Sequence, residues 1–99
     1  MGPGAPPAFP NATVEDVARW MLAELPRRGG VLDYATAALE IVRLFGGAFC
    51  HPVGGREFAI SPEVVAAFDA FAAVAPEEIV WNEEGRRWIM RSRADAPYR

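Results

Sequence analysis

The sequence predicts one small α+β domain, three helices followed by a two-stranded β-hairpin, with a possible extra short hairpin between the second and third helices. Two kinds of observation predict it. Three apolar stripes recur at helical spacing, each with a cap or a breaker at its ends. After the third stripe the period changes to two, on either side of a polar, glycine-containing turn. The 99 residues are 52% apolar, which supports one folded core and argues against disorder. The expected division is a flexible Pro/Gly-rich tail over 1–12, a single domain over 13–93 and a frayed C-terminal tail over 94–99.

The first twelve residues, MGPGAPPAFPNA, hold four prolines and two glycines. Proline removes amide donors and restricts φ, so the composition reads as an extended tail. Thr13 opens the first helix with Asp16 at the reciprocal capping position. Val14, Val17, Ala18, Met21, Leu22 and Leu25 form its stripe. Trp20 lies at the edge of that stripe. Glu15 and Arg19 stand four apart and are expected to pair, and Pro26 with Gly29-Gly30 is expected to stop the helix.

Val31-Leu32 is a short apolar link that could add a bridging strand. Asp33 is placed to cap the second helix, whose stripe is Tyr34, Ala37, Ala38, Ile41, Val42 and Phe45, with Gly46-Gly47 as a left-handed exit. Two helices joined by so short a link usually pack on each other. In the next stretch, Phe49-Cys50-His51 and Glu57-Phe58-Ala59-Ile60 read as short strands around the turn-rich Pro52-Val53-Gly54-Gly55.

Ser61 and Pro62 form an N-cap followed by proline at the first helical position. Ile60 and Val65 flank that cap as a staple. Val64, Phe68, Phe71, Ala72 and Ala75 make the third stripe, which Pro76 should end. Ile79-Val80-Trp81 then alternates as a strand, Asn82-Glu83-Glu84-Gly85 turns, and Arg86-Arg87-Trp88-Ile89-Met90 returns. Setting Trp81 opposite Arg86 would set Ile79 opposite Trp88, with both indoles on one face packed against the helices.

The composition bears on function by exclusion. No apolar run approaches the ~20 residues that span a bilayer, and the start lacks a basic region with an apolar signal core, so a cytoplasmic, membrane-free protein is expected. A single cysteine permits no disulfide within the chain. Cys50 and His51 are adjacent, and on a strand their side chains leave opposite faces and cannot share a proton. With one histidine and no Cys-x-x-Cys, a zinc site has no ligand set, and no metal is expected. The only serines are Ser61, a cap, and Ser92, so no Ser-His-acid triad can be assembled. The glycine pairs match no phosphate-binding loop. These readings predict no catalytic residue, no cofactor-binding residue, no small-molecule substrate and no enzyme activity.

The charge map is uneven. Residues 1–84 carry twelve acids and five arginines, whereas 85–99 carry five arginines and one aspartate. Arg86, Arg87, Arg91 and Arg93 cluster around Trp88, a pattern that can grip phosphate and stack on bases. The third helix instead carries Glu63 and Asp69 and no basic residue, which the phosphate backbone would repel. The same arginines can pair with Glu83 and Glu84 or cover the tryptophans with their stems.

Helix, apolar link, helix, capped helix and aromatic hairpin together resemble a winged helix. Asp16-Val17-Ala18-Arg19-Trp20-Met21-Leu22, Phe45-Gly46, Ala59-Ile60-Ser61, Ile79-Val80-Trp81 and Arg87-Trp88 carry a more specific resemblance over roughly residues 13–97. On these the chain is similar to a family of short bacterial and phage-associated proteins of unknown function. The resemblance implies a winged-helix-like fold and no active site. Two features depart from it: about fifteen residues separate the second and third helices, and the helix that would read DNA is acidic.

The expected role is therefore a non-catalytic interaction module that binds another protein or a second copy of itself. Glu63, Asp69 and Trp20 are the candidate partner surface. The alternative is a small DNA-binding regulator that holds phosphates through Arg86, Arg87, Arg91 and Arg93.

Overall fold

The computed structural model describes residues 9–55 and 57–91. The elements run α1 (Val14–Arg27), β1 (Val31–Asp33), α2 (Tyr34–Phe45), β2 (Cys50–Gly54), β3 (Glu57–Ile60), α3 (Pro62–Ala73), β4 (Ile79–Asn82) and β5 (Arg87–Met90), with one 3-10 turn at Gly47–Phe49. The described residues form a small α+β domain with three helices and two small sheets. Val17, Met21 and Leu25 of α1, Leu32, Ile41 of α2, and Val64 and Phe68 of α3 are fully buried and make the centre of one core.

The Thr13 capping box forms as its residues dictate: the Asp16 amide donates to Thr13 Oγ1 at 3.1 Å, and the Thr13 amide to Asp16 Oδ2 at 3.0 Å. The other two capping residues do something else. Asp33 and Ser61 occupy N-cap positions, yet neither side chain caps its helix. Asp33 turns to Arg87 across the sheet, at 3.3 Å. Ser61 acts through its backbone, donating to the Phe49 carbonyl at 2.8 Å and accepting from the Val64 and Val65 amides.

The helix ends also differ from expectation. Pro26 lies inside α1 and does not stop it. Leu25, which the proline should push out of the α region, is fully buried, and its packing outweighs that local preference. The stop falls at Gly29 and Gly30, both at positive φ, where the Gly30 amide donates to the Leu25 carbonyl at 2.7 Å. At the other end of the chain α3 finishes at Ala73, before Pro76, as its last amides tighten onto carbonyls three residues back. Arg19 pairs with Asp16 at 3.7 Å and not with Glu15, because its guanidinium lies over the Phe71 ring at 5.1 Å. The principal helix contact of α1 is with α3; the helix next to it in sequence, α2, touches it less.

The C-terminal hairpin supplies two of the three strands of a larger sheet. β5 lies in the middle of a three-stranded antiparallel sheet with order β1-β5-β4, so the Val31-Leu32 link is a full member. The hairpin register is shifted from the expected one: Trp81 faces Trp88 and Ile79 faces Met90. The cause is the turn. Asn82 extends β4, its Oδ1 accepts from the Gly85 amide, and Arg86 rather than Gly85 takes the left-handed conformation, at φ 52°. A Cβ on Gly85 would come within 2.8 Å of Nε of the half-exposed Arg87 side chain, which would have to swing aside.

The ladder alternation follows from two bonds. The Arg91 amide donates to the Glu78 carbonyl at 2.7 Å, and the Met90 amide to the Gly30 carbonyl at 2.8 Å. Val80 and Ile89 are therefore a hydrogen-bonded pair, while Ile79/Met90 and Trp81/Trp88 are non-hydrogen-bonded pairs with their side chains close. β2 and β3 form a separate two-stranded sheet between α2 and α3, with a bulge between Pro52 and Gly54. Before α1, Phe9 stacks on Phe45 at 5.4 Å between ring centroids, and its amide donates to the Leu44 carbonyl.

Candidate functional site

Asp33 and Tyr34 end β1 and begin α2 without a loop, which sets the Tyr34 ring against both sheets. Its amide donates to the Arg86 carbonyl at 3.0 Å, continuing the β1–β5 ladder one step. Its hydroxyl accepts from the Ile60 amide at 2.8 Å and so reaches the second sheet. The ring lies 5.8 Å from Trp88 and 6.2 Å from Trp81, and those two indoles are 4.9 Å apart. Trp88 also packs on Phe68 of α3 at 5.1 Å, which ties the aromatic group to the core. Such pairs add about 0.5–1.5 kcal/mol each beyond area burial.

Tyr34 also lines a cleft of about 580 Å³ between the start of α2, the β2–β3 hairpin and the β4–β5 turn. Asp33, Tyr34, Thr36, Phe58, Arg86 and Arg87 contribute to its walls. The Arg86 guanidinium lies over the Tyr34 ring at 4.8 Å, a cation–π contact worth about 0.5–1 kcal/mol at an exposed site. Arg87 faces Asp33. Glu57 on the opposite wall adds a second carboxylate, so the cleft carries both signs of charge.

The four arginines of the expected basic site are thus divided. Arg86 and Arg87 meet at the cleft, each already against a neighbour. Arg91 lies at the other end of β5, 3.5 Å from Glu78. Arg93 falls outside the described residues. Among the described residues no arginine pairs with Glu83; its carboxylate accepts from the Trp81 indole at 2.7 Å.

The three residues of the candidate partner surface also separate. Glu63 and Asp69 are exposed on α3, in a face completed by Ala66, Ala70 and Ala73. Trp20 is half-buried, its ring against the edge of Phe45 at 5.9 Å. Sequence reasoning missed Tyr34 as an organising residue. The signal available was an aromatic with a hydroxyl at the first position of a helix, directly after a strand.

Cys50 is buried and its thiol points at the Ala38 carbonyl, 3.6 Å away, while His51 is exposed on the other side of β2. Burial pushes the thiol pKa up to about 11, which keeps it protonated and unreactive at neutral pH. Among the described residues no group of three His, Cys, Asp or Glu side chains is placed to hold a metal ion. No helix among them is long and apolar enough to cross a membrane.

The chain belongs to a family of unknown function, DUF6953, whose family model matches residues 13–90. No curated protein and no solved structure matches the chain.

Proposed function

We propose that this member of the family is a non-catalytic protein-binding module built on a winged-helix plan. The plan is supported by element order: a strand after α1 pairs with the last strand of an aromatic hairpin that follows α3. The β2–β3 hairpin is an insertion between α2 and α3, where a DNA-reading helix pair needs a short turn.

The observation that carries the protein-binding reading is the outer face of α3. It presents Ala66, Ala70 and Ala73 flanked by Glu63 and Asp69, with no basic residue anywhere on the helix. Small side chains allow close approach of another helix or strand, and the acids select a partner with basic side chains. The same acids disfavour a nucleic-acid backbone. The cleft arginines support the reading from the other side, since Arg86 is engaged with Tyr34 and Arg87 with Asp33.

Replacing Ala70 with a photoreactive residue in the intact chain tests this in cells. The expected result is a discrete protein adduct from position 70, absent when the same group replaces Glu15 on α1. Adducts to nucleic acid, or equal adducts from both positions, would overturn it.

A further inference from the structure

The edge of β4 carries an unused half-ladder. Ile79 and Trp81 are non-hydrogen-bonded partners of Met90 and Trp88, so their amides and carbonyls point away from β5. β4 is the outermost strand of its sheet, and among the described residues nothing takes these four groups. Natural edges are normally blunted by lysine, proline, a bulge or a cover. β4 has no lysine, no proline and no register break, and it exposes 36% of Trp81.

We infer that β4 pairs with β4 of a second copy, antiparallel, with Val80 opposite Val80 on the two-fold axis. This surface is separate from α3 and goes beyond the reading above. The register is fixed by the alternation. Centring on Val80 makes Ile79 and Trp81 of opposite copies hydrogen-bonded pairs and uses all four outward groups of each strand. A slip of two residues in one direction sets Glu78 opposite Glu84, and in the other sets Ile79 against itself and Trp81 against Glu77.

The side chains agree with this register on both faces. On the solvent face, Val31, Ile89 and Val80 form an apolar row across the three strands, and the two-fold axis extends it through the second copy. The row above runs Asp33, Arg87, Asn82 and then Glu78 and Arg91 of the second copy. Acid and base alternate along it with no like charges adjacent, because Asp33–Arg87 and Glu78–Arg91 are already cross-strand ion pairs. On the inner face, Trp81 of the second copy lies over Ile79. Ile79 borders a depression between α3 and β4 whose other walls include Ala72, Ala73 and Pro76. That position covers the exposed indole. Glu77 and Glu83 stand just outside the paired span and face each other across the axis, which limits the pairing to the five residues 78–82 of each copy and makes the dimer weak and concentration-dependent.

Cysteine cross-linking tests the surface and the register together, since antiparallel non-hydrogen-bonded Cα atoms about 4.5 Å apart can be bridged by a disulfide. Val80→Cys under mild oxidation is expected to give a covalent dimer of the 10.8 kDa chain. Val31→Cys, on the same face but at the far strand, is expected to stay monomeric, and native Cys50 is buried. Light scattering across a concentration series should show wild type shifting toward twice the chain mass, and Val80→Lys remaining monomeric with an unchanged far-UV spectrum. Wild type that stays monomeric, no cross-link at position 80, or equal cross-linking at 31 and 80 would each overturn the proposal. None of these results bears on the α3 surface, whose adducts at Ala70 are read separately.

Discussion

The hydroxyl of Tyr34 accepts the amide of Ile60 at 2.8 Å, so one side chain at the start of α2 joins the two sheets. Ile60 faces Cys50 across the β2–β3 ladder, and its amide points out of that ladder toward α2. A backbone donor at the free edge of β3 is thereby satisfied by a side chain that also packs on both hairpin tryptophans.

Tyr34→Phe keeps the ring and removes the acceptor. The expected cost is about 1–2 kcal/mol, because a partly buried amide is left without its partner. Urea unfolding should show that loss, with faster hydrogen exchange at Ile60 and little change at Trp88.

Arg86 holds a left-handed backbone at φ 52°, which costs an L side chain roughly 1 kcal/mol. Arg86→Gly removes that strain and the contact over Tyr34 together. Because the cation–π contact is of similar size, the melting temperature is expected to stay within a few degrees of wild type. A large drop would mean that the stacked guanidinium holds the cleft together.

Phe68 is fully buried between α3 and Trp88. Phe68→Ala is expected to cost about 3–5 kcal/mol, enough to unfold much of a domain this small at 37 °C. Near-UV circular dichroism would report it through the tryptophans.

The Cys50 thiol is raised from an ordinary 9.0 to about 11 by burial. The sign follows from the neutral form being the one the fold accepts. Below pH 9 both states keep the proton and stability is unaffected; between about 9 and 11 the unfolded chain loses its proton first, so stability falls as pH rises. Cys50→Ser or Cys50→Ala should flatten that part of the curve. Thiol alkylation at neutral pH is expected to be slow in the folded chain and rapid in denaturant.

The helices were legible because their stripes are periodic and their core residues, from Val17 to Phe68, sit where the spacing puts them. The second helix in particular begins at Tyr34 and ends at Phe45 as read. What failed to show in the sequence was set by tertiary contact. Asp33 could equally cap a helix or meet an arginine, and only the β1–β5 register brings Arg87 within reach. Pro26 reads as a breaker until the burial of Leu25 is known. The hairpin register turned on whether glycine or arginine takes the left-handed position, and crowding at Gly85 by the Arg87 side chain is invisible in a one-dimensional pattern. For the candidate site, the arginines were visible as residues, but their division between Tyr34, Asp33 and Glu78 was not.

On the proposed function, the C-terminal arginines serve the fold while the chain binds protein. Titrating wild-type chain with duplex DNA, at low and at physiological salt and followed by tryptophan fluorescence, tests it most directly. No saturable change in the Trp81 and Trp88 signal is expected at either salt. Saturable binding that weakens steeply with salt, and is lost in Arg86→Ala with Arg87→Ala, would contradict it and place nucleic acid on the β4–β5 turn.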